Sequence, residues 1–445
     1  MKVHVFNING EYILVDGRGI EVYHLPDSIG RQLERGEIDL NSLEKQINVK
    51  SKDIEIENKF SENLCSRLTI NLTSRCNMAC KYCYAHYGDY QQQVDDSISL
   101  DIIRNTTQLA LDLYPEGIRF VQFFGGEPLL VKGILQSAME IIREICRERG
   151  IQEPYFGMVT NGTLIDDKTA KFMVKNLTTV TISLDGNQEV NDYNRCLANN
   201  SEESVYQKVK EAVVKLHELK PDFRVACAAT VTKKNIDDYI AHNQEDTLYD
   251  SIYNDIGFDA CACNPVFDCG NPDMALENTK IDKVKNYFDS FRKRQLSDDR
   301  NETSNLQALK RVLDLLFKKE YGELCGALTT DLAVDVIGGI YPCFMFIGEE
   351  KFLIADAKKY DLVTVKNRNA EIRGIMNRAN DNAVCSACWA EKMCVTTYGK
   401  CIGARYLKHQ DIKQPISLTC EIGKEQLECS IWEAIRNQEA RCKRG

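Results

Sequence analysis

Cys76, Cys80 and Cys83 stand in the run Cys-Asn-Met-Ala-Cys-Lys-Tyr-Cys, spaced by three and then two residues. Three thiolates so spaced can hold three irons of a [4Fe–4S] cube, which normally takes four cysteines, and leave the fourth iron open. An open iron can bind and act on a small molecule, which a fully ligated electron carrier does not easily do. Alone, the triad also reads as half of a zinc site, whose pairs lie two to four residues apart. The flanks favour the cluster. Arg67-Leu-Thr-Ile-Asn-Leu-Thr73 reads as a buried strand, and Tyr84 to Tyr90 as an irregular run before a helix near Ser97 or Ser99. The end of a strand is where barrel enzymes place their chemistry.

A second cysteine field follows. Cys325 precedes Gly338-Gly-Ile-Tyr-Pro-Cys343; then come Cys385-Ser-Ala-Cys388, Cys394, Cys401 and Cys420. The Cys385/Cys388 pair by itself reads as zinc. Of the other cysteines, Cys261 and Cys263 with Cys269 suggest a further site, but small thiols on a strand more often simply pack. The chain has 19 cysteines, an odd total, and no apolar signal segment at Met1-Lys-Val-His-Val-Phe-Asn. These features predict a cytoplasmic protein that uses thiols for metal or catalysis rather than a disulfide framework.

The elements that must position these residues alternate. Candidate strands are Leu68–Leu72, Phe120–Phe124, Tyr155–Val159, Val180–Leu184, Arg224–Val231 and Asp259–Val266, with helical periodicity between them, as in Ile102–Leu113 and Tyr206–Leu216. This βαβ rhythm predicts an α/β fold with a parallel sheet and right-handed crossovers. Six units make a partial (β/α)6 barrel, open on one side for a large substrate. Residues 1–60 read as three short strands and two helices, either a small interaction module or an embellishment of the core. Residues 61–270 are the barrel, 271–320 a charged helical connector, and 321–445 a cysteine-rich domain.

At 445 residues, with 43% hydrophobic and 27% charged residues, the composition is that of an ordinary globular protein. No run of about 18 apolar residues predicts a membrane span. A formal charge of −10 without a basic stripe argues against nucleic acid as a partner.

Each strand end carries a polar motif. Gly125-Gly126-Glu127-Pro128 follows the second strand, Thr160-Asn161-Gly-Thr163 the third, and Ser183-Leu-Asp185-Gly186 the fourth. Glycines let backbone approach a ligand closely, and a carboxylate accepts from an ammonium. With the cysteine triad, these motifs resemble the radical S-adenosylmethionine (SAM) enzymes over residues 65–270. The resemblance implies that Glu127 meets the amino group of SAM, Asp185 its ribose, and Arg195 its carboxylate, with Tyr82 beside the adenine. Gly125, Gly126, Asn161 and Ser183 complete the implied pocket.

The second field resembles the SPASM extension of that family, which holds two auxiliary [4Fe–4S] clusters, making three in all. By position, Cys385, Cys388, Cys394 and Cys420 would ligate one, and Cys325, Cys343 and Cys401 the other, short of one ligand. Six residues separate Cys394 and Cys401, where the family usually has three. Within SPASM enzymes, the chain is similar to maturases of cysteine-rich ribosomal peptides (SCIFF or ranthipeptide type). The similarity lies in Cys80-Lys-Tyr-Cys-Tyr-Ala85, Gly88-Asp-Tyr90, Phe123-Phe-Gly-Gly-Glu-Pro-Leu-Leu130, Cys388-Trp-Ala390 and Cys420 to Cys429.

That implies thioether formation between a peptide cysteine and a carbon of another residue. Residues 1–60 would then be a winged-helix-like unit that takes the leader of a precursor peptide as an added strand. An electron donor such as flavodoxin or ferredoxin would serve as reductant. Other peptide chemistry remains open, namely carbon–carbon or carbon–oxygen crosslinks and epimerisation. Sulfatase-type formylglycine maturation is disfavoured by Phe344, where that branch has aspartate. A zinc-knuckle interaction protein is the reading from another class.

Overall fold

Asn9 and Gly10 take left-handed backbone (φ 54° and 86°) and close a hairpin between β1 (Val3–Ile8) and β2 (Glu11–Asp16). β3 (Glu21–Leu25) pairs antiparallel with the other side of β2. Helices α1 (Asp27–Glu34) and α2 (Leu40–Ile47) follow, the second capped by Asp39, whose Oδ1 accepts from the Ser42 N–H at 2.6 Å. Alternation along β2 sends Tyr12 and Leu14 to one face with Val3, Leu25 and Leu43, and Ile13 and Val15 to the other. The small sheet is thus covered on both sides.

This computed structural model describes residues 2–442 apart from 48–53, 55–56, 59–60, 95, 200, 244, 246, 267–270, 278, 298–310, 322–324 and 395–400. Cys269 lies outside the described residues. The chain divides into two units that are not linear segments. One comprises Ser61–Asn301 and Gly326–Asn377; the other comprises Met1–Phe60, Glu302–Cys325 and Arg378–Gly445.

The first of these units is the α/β barrel fold. Six parallel strands appear where the runs of buried residues predict them: β4 (Leu68–Asn71), β5 (Phe120–Phe124), β6 (Tyr155–Thr160), β7 (Thr179–Ser183), β8 (Arg224–Val231) and β9 (Ala260–Pro265). Crossover helices link them: α3 (Leu100–Leu113), α4 (Lys132–Glu148), α5 (Asp167–Asn176), α6 (Gln188–Asn194) and α7 (Val205–Leu219), with α8 (Lys233–Ala241) after β8. Ser99, Asp166, Asn187 and Ser204 cap their helices by accepting a backbone N–H, as residues of these types commonly do. α9 (Ile281–Ser297) follows β9.

Three further strands extend the sheet beyond β4. β10 (Leu332–Val334) runs parallel to β4, with Val334 opposite Ile70. β11 (Gly339–Tyr341) and β12 (Ala355–Asp356) then pair antiparallel, giving nine strands in the order β9-β8-β7-β6-β5-β4-β10-β11-β12. α10 (Leu362–Asn377) closes this unit.

In the second unit, α11 (Ala383–Ser386), α12 (Ile402–His409) and α13 (Ser417–Cys442) complete what β1–β3 begin. Phe6, Ile13, Val15 and Ile20 share a core with Trp389, Met393, Leu427 and Ile431. The Trp389 ring stacks on His4 (centroids 4.4 Å apart), and His4 Nε2 lies 2.7 Å from Glu428 Oε1. Lys392 Nζ donates to the carbonyls of Arg18 and Ile54, each at 2.9 Å. The loop from Cys385 to Cys394 is therefore seated on the amino-terminal sheet.

No described helix is long and apolar enough to cross a membrane.

Candidate active site

The Cys76–Cys83 loop leaves the end of β4 and is held by backbone pairing to residues 194–198 as well as by its own Cys83 N–H to Cys80 O turn (3.2 Å). Ala79 N–H donates to Cys196 O (2.7 Å), Lys81 N–H to Asn194 O (3.0 Å) and Ala198 N–H to Asn77 O (3.0 Å). This short ribbon fixes Arg195 against the loop, with Arg195 Nη1 3.8 Å from Cys80 Sγ.

Burial pushes the Cys76 and Cys80 thiols up to about 12; at Cys80 the positive charge of Arg195 opposes it. Cys83 is also raised by burial, against the Tyr87 N–H that donates to its sulfur.

Asp185, with no exposed surface, gathers the next layer. Its Oδ2 accepts from Tyr82 Oη at 2.6 Å and from Arg195 Nε at 3.1 Å, and its Oδ1 from the Thr230 N–H at 2.9 Å. Tyr82, Asp185 and Arg195, each expected to face SAM separately, here satisfy one another. Ser183 is half-buried at the end of β7, two residues before Asp185.

Glu127 is equally buried and accepts from Leu129 N–H (3.0 Å), Thr160 Oγ1 (2.7 Å) and Asn161 N–H (2.8 Å). Burial raises its pKa against these three bonds. Asn161 Nδ2 donates to Asn77 Oδ1 (2.8 Å), while Asn77 Nδ2 donates to Thr163 Oγ1 (2.9 Å), tying the strand-three motif to the cysteine loop. Asn77 was missed in the sequence, although it sits inside the cysteine motif.

The two glycines also serve the fold. A Cβ on Gly126 would lie 2.2 Å from Arg75 O, and one on Gly125 2.7 Å from Thr73 O. Their missing side chains let the cysteine loop's backbone pass.

A cleft of about 630 Å³ opens beside the triad, lined by Arg75, Cys76, Asn77, His86, Tyr87 and Leu130 among others. The hydroxyls of Tyr84 and Tyr90 are buried and interact with each other. Burial raises both, and the charges of Cys83 and Cys343 add to it. Phe344, next to Cys343, packs on Phe124 at the end of β5, with centroids 5.1 Å apart.

The donor set fits an iron–sulfur cube. Buried thiols become thiolates only against a strong cationic centre, which cluster iron supplies. Among the described residues, no three ligating side chains converge as they do around a single metal ion.

In the other unit, Cys385 is buried and Cys388, Cys394 and Cys420 half-buried. Burial pushes the Cys420 thiol up to about 11; Cys394 and Cys385 add to this, while Arg405 opposes it. Cys420 thus senses Cys385 and Cys394, and Lys424 stands within the field of Cys388 and Cys420. Cys401 precedes α12 and is raised by burial, Cys325 is exposed, and Cys343 belongs to the barrel unit.

Comparison with known proteins accords with this geometry. Residues 70–242 match the model of the Radical SAM superfamily. A cysteine-type anaerobic sulfatase-maturating enzyme of Clostridium perfringens is 24% identical over 370 residues, 79% of this chain and 92% of that protein. The structure described as native anSMEcpe with bound AdoMet and Cp18Cys peptide superposes with a TM-score of 0.65 at 20% identity, covering 85% of this chain and 99% of that one. Streptococcus suis SuiB bound to precursor peptide SuiA gives 0.52 at 16% identity, covering 94% and 98%. The matched segment, residues 70–242, lies within the barrel unit and carries the cysteine triad at the strand ends.

Proposed function

We propose that this chain is a radical SAM enzyme that modifies a ribosomally made precursor peptide by joining a peptide cysteine to a carbon of another residue. The observation that carries the reading is the convergence of the Cys76/Cys80/Cys83 loop with Arg195, Asp185, Tyr82 and Glu127 at the strand ends. A [4Fe–4S] cube on those cysteines, with SAM, supplies when bound a one-electron cleavage that yields a 5′-deoxyadenosyl radical.

The chain's residues do the positioning. Glu127, oriented by Thr160 and Asn161, receives the SAM amino group; Arg195, fixed by Asp185 and the backbone ribbon, receives the carboxylate; Asn161, Ser183 and Asp185 line the nucleoside side. The solved neighbours with AdoMet and peptides in their crystals support a SAM-dependent enzyme acting on a peptide. Cys385, Cys388, Cys394 and Cys420 hold one auxiliary cluster, and Cys325, Cys343 and Cys401 the other. Residues 1–60 receive the leader, in keeping with the three-stranded sheet whose edge strand β3 leaves Tyr23 and His24 exposed. A flavodoxin or ferredoxin donates the electron.

Each crosslink removes two hydrogens from the peptide and keeps the cysteine sulfur. Formylglycine maturation is the second reading, favoured by the extended similarity to the sulfatase-maturating enzyme. It loses the sulfur instead. Phe344, an apolar side chain packed on Phe124 where that chemistry uses an aspartate base, favours the crosslink. Anaerobic incubation of the reconstituted enzyme with SAM, reductant and a cysteine-containing candidate precursor peptide decides. The expected result is 5′-deoxyadenosine with a peptide two hydrogens lighter and protected from alkylation. No 5′-deoxyadenosine after full cluster loading would sink the radical reading, and a peptide that loses sulfur would replace the crosslink.

A further inference from the structure

Arg405 is 1% exposed in the middle of α12. Its Nη1 donates to Ala379 O (3.2 Å), Asn380 Oδ1 (3.1 Å) and Ile412 O (3.4 Å), and its Nη2 lies 4.0 Å from Cys385 Sγ. A guanidinium does not deprotonate in a protein, so this is a permanent buried charge. Taking such a charge out of water costs several kcal/mol unless negative charge lies beside it. The Cys385 sulfur, 4.0 Å away, brings negative charge there once it is a thiolate. Lys424, paired with Glu421 at 2.7 Å, stands on α13 beside Cys388 and Cys420 and is the more exposed of the two cations.

We infer that Arg405 is a positioning residue that raises the reduction potential of the group held by Cys385, Cys388, Cys394 and Cys420, making that group the better electron acceptor. The inference rests on the reading that these cysteines hold a [4Fe–4S] cluster. Reduction adds one negative charge to a cluster, and a fixed cation at the ligand sulfur favours the form with more negative charge. Net charge and hydrogen bonds at the sulfurs are the levers by which a protein sets such potentials. The guanidinium's anchorage to three oxygens keeps it from following the charge as it changes.

The test is a redox titration read by electron paramagnetic resonance, in a protein whose Cys76, Cys80 and Cys83 are replaced by alanine. The signal lost on adding Cys385→Ala defines the group. Adding Arg405→Met instead should leave iron content unchanged and lower the reduced-to-oxidised ratio at fixed potential about tenfold, or 59 mV for one electron. Arg405→Lys, which keeps the charge, should lower the ratio by less than about threefold.

An unmoved ratio at full iron content in Arg405→Met overturns the role of Arg405 alone. If that variant does not fold, a tenfold fall in Arg405→Lys overturns it, since the charge is retained there. Should Cys385→Ala remove no iron, the four-cysteine cluster fails, and the inference with it.

Discussion

Two groups of buried thiols are built in opposite ways. The Cys76–Cys83 triad is contiguous, sits at the end of β4, and is held by backbone pairing to 194–198. The Cys385–Cys420 group gathers thiols from α11, the loop after it and α13. Each has an arginine near a sulfur, at 3.8 Å and 4.0 Å. Arg195 shares its charge with Asp185, while Arg405 donates to the carbonyls of Ala379 and Ile412 and to Asn380 Oδ1. The first arrangement partly neutralises the cation and ties it to a carboxylate that can also meet a ligand. The second sets the cation 4.0 Å from the Cys385 sulfur. On the proposed function, the first site would hold a small molecule and the second an electron.

The sharpest way to break this contrast is to remove one group at a time. Cys76→Ala should abolish 5′-deoxyadenosine formation, read by chromatography, while iron remains on the other group. Cys385→Ala should do the reverse, leaving 5′-deoxyadenosine measurable and cutting modified peptide by at least about tenfold. Equal loss of both products in each variant would erase the division of labour.

Asp185→Asn removes the charge shared by Arg195 and Tyr82. A fall of about 10- to 100-fold in SAM cleavage at limiting SAM is expected, as for the outer partners of a ligand-binding group. Gly126→Ala, which drives a methyl into Arg75 O, should cost about 1–3 kcal/mol and lower the Tm of the metal-free protein.

The mildest effect is on pH. Cys76 and Cys80 titrate higher folded than unfolded, so their contribution to stability is intact below about 9, the ordinary thiol value. It is lost as pH rises towards about 12. Denaturant melts of the metal-free protein across that range would show the decline.

Much of the barrel is legible in the sequence because buried parallel strands read as apolar runs, and the motifs that end them mark the site. All six strands lie within two residues of their expected limits. β10, β11 and β12 were not foreseen: two or three residues each, they carry no periodicity and exist through pairing to a strand far away in sequence. The cysteine motif gave the triad, yet not the Tyr84 and Tyr90 hydroxyls, whose burial arises only in tertiary packing. Arg405 was equally invisible, because an arginine within a short helix ordinarily reads as solvated surface. The division into units escaped a linear reading for the same reason: Trp389 and Leu427 pack with Phe6 and Ile13 across most of the chain.

The pairing of β4 with β10 has a consequence for synthesis. β4, which carries the triad, lies between β5 and β10, and β10 starts 264 residues after β4 does. At about 5–20 residues per second, roughly 13 to 53 s of translation separate the two. For that interval the triad's own strand has one unpaired edge, the kind of edge that recruits other chains. Its thiols hang from a sheet still unfinished on that side. Delivery of iron and sulfide should therefore succeed best after the ribosome has released the chain, and a nascent chain arrested before residue 332 should aggregate or bind chaperones while a released one does not.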